Sequence, residues 1–427
     1  LVGLVVLVYS LGYMAHEEGL PRYYFFMTFF IGGMTGLVMA DNFLQLYIFW
    51  EIVGLCSYAL IGFYYKKPEA AHAGIKAFIT TRIGDASMLI GIILLYVSLG
   101  TFRYTEVSKL LEEGLASGTL SLPFTILTLL LIFGGAVGKS AQIPLHVWLP
   151  DAMEAPTPAS ALLHAATMVN AGPILLHRLS SHFIFLKPGI LFSSYLTLVL
   201  ASLSAIQENN LKRVLAYSTI ASLAILFFFF DSPLFLPFFL VHSFSKASLF
   251  FIAGELSHHR GYDIEMGYSR RSLQALLFLI FSLSIAGFPP FGAFWIKATE
   301  LSVFSALSFL LSLTYFFRAY LKVFSGNMFR SIGYGSIPAL FLLPFSIIPT
   351  LPLVSFQVVP ALLFLLLSIF TYVLLQLEPL FSLFEKIFNL VERIDLRVLY
   401  LEEIANNVVY RAGVNFQRAC LLYTSPS

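Results

Sequence analysis

The sequence is short of charge. Only 11% of its 427 residues are Asp, Glu, Lys or Arg, where an ordinary soluble domain carries about 25%. Lys and Arg (25) nearly cancel Asp and Glu (23), leaving a net charge of +2, so no basic face is available for a nucleic acid. Cysteine is almost missing. Cys56 and Cys420 are the two present; they allow at most one disulfide and fall short of the four thiolates an iron–sulfur cluster usually takes. No G-x-x-x-x-G-K-[ST] loop occurs, which leaves no phosphate cradle for ATP. Residues 1–14 are apolar but lack a basic start and a small-residue cleavage site, so they are not a secretory signal; they read as the tail of a helix begun earlier. The most informative absence is at 331–377, where 47 consecutive residues include no Asp, Glu, Lys, Arg or His. No soluble core absorbs such a run, whereas a membrane span needs about 20 apolar residues.

What is present fits that reading: 58% of the chain is apolar and 16% aromatic. The expected fold class is an all-α polytopic membrane protein of about 12–13 transmembrane helices. After the remnant and loop at 1–22, apolar runs occupy 23–39, 42–64, 75–99, 123–141, 158–182, 189–206, 214–230, 233–256, 272–299 and 301–324. Two more spans, 337–354 and 356–377, share the uncharged run, and Pro349 and Pro352 divide them. The alternating charges of 101–118 suggest a surface helix, and 380–414 reads as an amphipathic stretch along the membrane or a partner. Lys66, Lys67, Lys212, Arg213, Arg260, Arg270, Arg271, Lys322 and Arg330 fall in alternate loops, against Arg103, Lys109, Arg178 and Lys187 on the other side. The richer set is assigned to the cytoplasm or matrix.

Ionisable residues inside spans cost about 2.5–3.5 kcal/mol each at a helix centre and commonly mark ion or proton paths. Glu51 follows Trp50 near the middle of its span. It is expected to meet a lysine, either as a proton-exchanging pair or as a static salt bridge. Lys139 ends an uncharged run beginning at Pro123, with Gly134, Gly135 and Gly138 ahead of it and Pro144 behind. That pattern predicts a discontinuous helix with a lysine at the break, as where unwound backbone lines a cavity. Lys297 repeats it after Gly287, Pro289 and Pro290, which suggests an internally duplicated transporter; a snorkelling lysine at a helix end is the plainer alternative. His242 and Lys246 are four apart and share a helix face, suited to a relay; a histidine bonded to a neighbouring helix's carbonyl is the plainer alternative. Arg82 and Asp85, three apart, are expected to pair within their helix. His164 is a relay candidate or a satisfied core histidine. His146, His177, His182, His258 and His259 lie near loops or span ends, and Lys76, Glu255 and Arg318 read as interfacial.

These residues also carry a family resemblance. DNFLQLYIFWEIVGLCSYALIGFYY (41–65), GKSAQIPLHVWLPDAMEAPTPASALLHAATMVNA (138–171), KRVLAYST (212–219), HSFSKASLFFIAGEL (242–256) and GFPPFGAFWIKATEL (287–301) resemble the proton-translocating, antiporter-like subunits of complex I. The wording is most similar to the subunit L / mitochondrial subunit 5 family, which is related to the A subunit of multisubunit cation/proton antiporters. The resemblance covers about the first three quarters of the chain.

It implies inverted repeats with two broken helices, placed here at 23–182 and 183–324, followed by two further helices at 325–378. A lateral-helix start and truncated tail would occupy 379–427. It also implies that about two helices precede residue 1. By resemblance, Glu51 and Lys139 match the family's functional pair, Asp85 its acidic helper, His164, His242 and Lys246 the central relay, and Lys297 the lysine of the second broken helix. Flavin, iron–sulfur clusters and quinone would belong to other subunits, with no cofactor or metal in this chain; its neighbours would be further antiporter-like membrane-arm subunits of the M and N type, and membrane lipid. The expected setting is the plasma membrane of a prokaryote rather than a mitochondrial inner membrane. Two departures stand out: Asn210 where an aspartate is expected, and IASLAILFFFF after KRVLAYST where the family is more polar. The function implied is a proton-translocating subunit of a redox-driven quinone oxidoreductase. A cation/proton antiporter subunit is the alternative. A haem-binding b-type cytochrome is disfavoured because His164 and His242 are too few to ligate haems in pairs.

Overall fold

A computed structural model describes residues 1–257, 261–264, 267–270, 272–289, 291–300, 302–326 and 335–346. The helices are α1 (Val2–Tyr13), α2 (Leu20–Met39), α3 (Phe43–Ile61), α4 (Pro68–Leu99), α5 (Tyr104–Ser117), α6 (Leu122–Lys139), α7 (Trp148–Asp151), α8 (Thr157–Ala165) and α9 (Ala171–Arg178). There follow α10 (Ser180–Phe183), α11 (Lys187–Gln207), α12 (Leu211–Phe228), α13 (Phe235–Ser257), α14 (Leu273–Ala286), α15 (Gly292–Thr299), α16 (Val303–Val323) and α17 (Ser336–Leu342). Among the described residues, eight helical segments are long and apolar enough to cross a membrane. The expected span at 356–377, most of 337–354, the amphipathic stretch at 380–414 and Cys420 lie outside the described residues.

Local chemistry explains where the helices start. Asn42 Oδ1 accepts the Gln45 N–H at 2.8 Å, capping α3, and Ser272 and Ser302 cap α14 and α16 in the same way. Asn210, the departure from the expected aspartate, does this at α12 by accepting from the Arg213 N–H. An amide oxygen serves as well as a carboxylate there, without carrying a charge into the membrane edge. Pro68 opens α4 at a position where no N–H is needed.

The chain divides into two compact units. Unit I comprises Gly19–Pro156 and Met168–Ile190; unit II comprises Leu1–Glu18, Thr157–Thr167 and the described residues from Leu191 on. In unit I, α4 packs on α3 and, most closely, on α6. In unit II, α13 packs on α8, α12 and α14. Its α12 and α13 are largely enclosed, with 83% and 78% of their apolar windows buried, against 44% for α3. The polar residues of unit II therefore sit on its most sheltered helices.

Both expected breaks are present, and their details differ from expectation. Gly134, Gly135 and Gly138 remain helical within α6. Their lack of a side chain serves close approach: a Cβ at Gly84 would lie 2.6 Å from the Gly134 carbonyl oxygen, and one at Gly135 2.7 Å from Met88 Cβ. The helix stops only at Lys139 itself. In unit II, α14 ends at Gly287 (φ +90°), a left-handed cap that favours glycine. A third interruption falls inside the expected 158–182 span, where α8 ends at Ala165 and a 3₁₀ turn occupies Met168–Asn170. Thr167 Oγ1 donates to the Leu162 carbonyl at 2.6 Å, diverting an acceptor that continued helix would use.

The α4–α6 contact yields a prediction. Gly84→Val places carbon against the Gly134 carbonyl and should destabilise the protein by about 1–3 kcal/mol, read as a lower thermal midpoint of the detergent-solubilised protein. Val97→Ala, at a position 76% exposed, should leave the midpoint unchanged.

Candidate functional site

In unit I, Glu51, Arg82, Asp85 and Lys139 group on three adjacent helices. Lys139, the last residue of α6, donates to Asp85 Oδ2 on α4 at 3.0 Å, and both side chains are fully buried. The other carboxylate oxygen, Asp85 Oδ1, accepts the indole N–H of Trp50 on α3 at 2.7 Å. Asp85 is thereby held from two sides. Gly54, one turn beyond Trp50, leaves the room for the ammonium: a Cβ there would lie 2.5 Å from Lys139 Nζ. Beside this buried pair, Arg82 Nη1 donates to Glu51 Oε2, with the two side chains 36% and 24% exposed. The Arg82 guanidinium also lies over the Phe78 ring, 4.6 Å from its centre.

This arrangement corrects two expectations from the sequence. Glu51 is ion-paired with Arg82 rather than with a lysine, and Lys139 takes Asp85. Arg82 and Asp85 do not form an intrahelical bridge; each reaches a different neighbouring helix. The physical reason lies in α4, which touches both α3 and α6. It finds a carboxylate on one and an ammonium on the other, so cross-helix partners outcompete a contact along its own surface.

Unit II holds the remaining candidates. His164, on α8, is fully buried and neither ring nitrogen has a hydrogen-bond partner among the described residues; its ring lies 5.0 Å from that of Phe250. Its main-chain carbonyl, near the end of α8, is 3.2 Å from His242 Nε2 on α13. Lys246, one turn beyond His242, is fully buried, donates to the Ser218 hydroxyl on α12 and lies 5.4 Å from the centre of the Phe316 ring. No carboxylate is recorded as an ion-pair partner of Lys246 among the described residues. Lys297, in the last turn of α15, reaches back to the end of α14 and donates to the Ala286 carbonyl at 2.8 Å. Helix ends leave carbonyls unpaired and carry partial negative charge, so the ammonium neutralises a terminus. Gly287 makes the room, since a Cβ there would meet Lys297 Cδ at 2.9 Å.

Several residues set aside in the sequence are buried or half-buried participants. Lys212 is only 3% exposed. Glu255 accepts from Gln274 Nε2 at 2.7 Å and from the Ser336 N–H at 2.6 Å, joining α13 to α14 and α17. Arg318 donates to the Glu208 carbonyl at 2.8 Å and to Asn209 Oδ1 at 2.9 Å. Lys76 pairs with Asp151 at 2.5 Å, and His182 is 2.9 Å from the Ser108 hydroxyl. Proximity to a span end hid them: these helices run longer than their apolar cores, so a terminal position in sequence is interior in space. Among the described residues no cluster of His, Cys, Asp and Glu could hold a metal ion.

Comparison with known proteins agrees with this architecture. Residues 40–322, more than half of the chain, match the family model described as NADH:quinone oxidoreductase/Mrp antiporter, TM. Residues 1–24 match the N-terminus of NADH-ubiquinone oxidoreductase (complex I) chain 5. The chloroplastic NAD(P)H-quinone oxidoreductase subunit 5 of Ipomoea purpurea is 41% identical over 360 residues, covering 77% of this chain and 50% of that protein. The corresponding protein of Spinacia oleracea is 39% identical over 358 residues, 77% of this chain and 48% of its own. The chain thus spans about half the length of these relatives. Among solved structures, the Mrp complex from Dietzia sp. DQ12-45-1b superposes with a TM-score of 0.79 at 25% identity, covering all of this chain (100%) and 52% of that one. The archaeal membrane-bound sulfane sulfur reductase shares the fold, with a TM-score of 0.70 at 24% identity over 95% of this chain and 83% of that one. With its two broken helices and buried lysines, this multi-pass membrane chain belongs to the NADH:quinone oxidoreductase/Mrp antiporter transmembrane family.

Proposed function

We propose that this chain is a proton-translocating membrane-arm subunit of a redox-driven NAD(P)H–quinone oxidoreductase. The observation that carries this is Lys139: an ammonium with no solvent exposure, balanced by a carboxylate that a second helix orients. Such a charge is stable only while its partner stays in place, so a small displacement of Asp85 favours release of the proton. Glu51, through Arg82 on the same helix as Asp85, is the group whose charge sets that displacement. In unit II, His164, His242, Lys246 and Lys297 are proposed to carry the proton. Burial of the His164 ring nitrogens, unpartnered among the described residues, supports this, because a chain of water molecules would satisfy atoms that otherwise cost about 1–3 kcal/mol each.

The proposed repeats are 23–182 and 183–324, supported by the matching sequence of helix, break and lysine in each. Partners would be further membrane-arm subunits of the M and N type. Flavin, clusters and quinone are assigned to other subunits; this chain would do no redox chemistry itself. A prokaryotic plasma membrane is the proposed setting, supported by the Dietzia and archaeal structural neighbours; the chloroplastic names of the plant relatives make a chloroplast membrane the competing one. A second reading, an A-like subunit of a multisubunit cation/proton antiporter, is favoured by the superposition on the Mrp complex.

Inverted membrane vesicles carrying the assembled complex test these readings. Lys139→Ala or Lys246→Ala should lower NADH-driven proton uptake at least about tenfold with assembly retained, whereas Val97→Ala should match wild type. Wild-type uptake in both lysine variants would refute the function; uptake that needs sodium and persists without any electron donor would favour the antiporter. Asp85→Asn leaves Lys139 facing a neutral amide and should cost about 3–5 kcal/mol, seen as a lower thermal midpoint together with slower uptake. Gly54→Ala, which intrudes on the Lys139 ammonium, should slow uptake several-fold with little change in that midpoint.

A further inference from the structure

Three hydroxyls from distant parts of the sequence meet in unit II. Thr157 Oγ1, at the start of α8, lies 2.6 Å from the Tyr262 hydroxyl and 3.0 Å from the Tyr13 hydroxyl, and the two phenols are 3.2 Å apart. Thr157 is fully buried, while both tyrosines are half-buried. The buried ammonium of Lys212 sits 4.6 Å from the centre of the Tyr262 ring. This cluster joins that enclosed charge to a partly exposed loop.

The loop position is fixed by main-chain bonds. The Leu211 N–H donates to the Tyr262 carbonyl at 2.7 Å and the Ile264 N–H to the Asn209 carbonyl at 2.8 Å, tying 262–264 to the start of α12 beside Lys212. Burial would by itself push the Tyr262 phenol up. The Lys212 charge, with hydrogen bonds from Ser257, Thr157 and Tyr13, outweighs it and leaves the phenol below its ordinary value. Each hydroxyl both donates and accepts, so three in contact can pass a proton without any of them keeping a charge.

We propose that Tyr262, Thr157 and Tyr13 form a proton-exchange site that loads and unloads Lys212 from the loop between α13 and α14. On unloading, the Lys212 ammonium releases one proton to the Tyr262 oxygen through a bridging water. Tyr262 passes its own hydroxyl proton to Thr157, Thr157 passes its own to Tyr13, and the Tyr13 proton leaves to solvent water. One proton moves, Lys212 becomes a neutral amine, and all three hydroxyls are restored; loading is the reverse. The site rests on the translocation reading above and adds to it the group that exchanges protons with the aqueous side.

Tyr262→Phe keeps the ring beside Lys212 and removes only the hydroxyl. In inverted vesicles of the complete complex, energised in turn with NADH and with reduced ferredoxin, it should slow proton uptake at least about fivefold with normal assembly on native gels. Thr157→Ser, which keeps a hydroxyl, should pump several-fold faster than Thr157→Val. Wild-type uptake in Tyr262→Phe overturns the site, and so do equal rates for the two Thr157 variants. If Tyr262→Phe fails to assemble, the Thr157 pair decides alone. Lys246→Ala in the same vesicles separates the two levels. If it and Lys139→Ala both pump normally the translocation reading fails, and if they are defective while Tyr262→Phe is normal only the hydroxyl site fails.

Discussion

The arrangement of unit I depends on one interaction, the ion pair between Lys139 and Asp85. Neither side chain touches solvent, and moving two charges out of water costs several kcal/mol per ion before their attraction is counted. The pair is tenable because the surroundings are built around it. Trp50 donates to the carboxylate oxygen that Lys139 does not use. Gly54 withholds the carbon that would displace the ammonium. The glycines of α4 and α6 bring the two backbones close enough for short contact. Sequence features that look unrelated, an aromatic, a small residue and a glycine-rich helix, thus serve a single electrostatic requirement.

Unit II meets the same requirement with different means. Lys246 rests on a hydroxyl and an aromatic face, and Lys297 on the carbonyl end of a broken helix. Both are weaker counter-charges than a carboxylate. The first lysine is held by a full negative charge and the other two by dipoles, although burial is complete at each.

Much of this was legible in the sequence. Apolar run length located the helices, because a spanning segment has to meet a fixed thickness. The position of Lys139 after an uncharged run and before Pro144, and of Lys297 after Gly287, located both breaks. Partner choice was not legible. Whether Asp85 meets Arg82, three residues away on its own helix, or Lys139, 54 residues away, is decided by which helices α4 contacts, and the spacing of residues along one helix does not encode that. The kink after His164 was hidden for a similar reason: it depends on Thr167 turning its hydroxyl to a main-chain oxygen, and a threonine within an apolar run gives no warning of it. Glu255 and Arg318 looked superficial because each sits near a helix end; tertiary packing placed those ends inside.

Arg82 and Asp85 ride the same turn of α4, yet they grip different neighbours, α3 through Glu51 and α6 through Lys139. Both contacts are thus anchored on one rigid element. The helix stands between them like a common axle between two bearings.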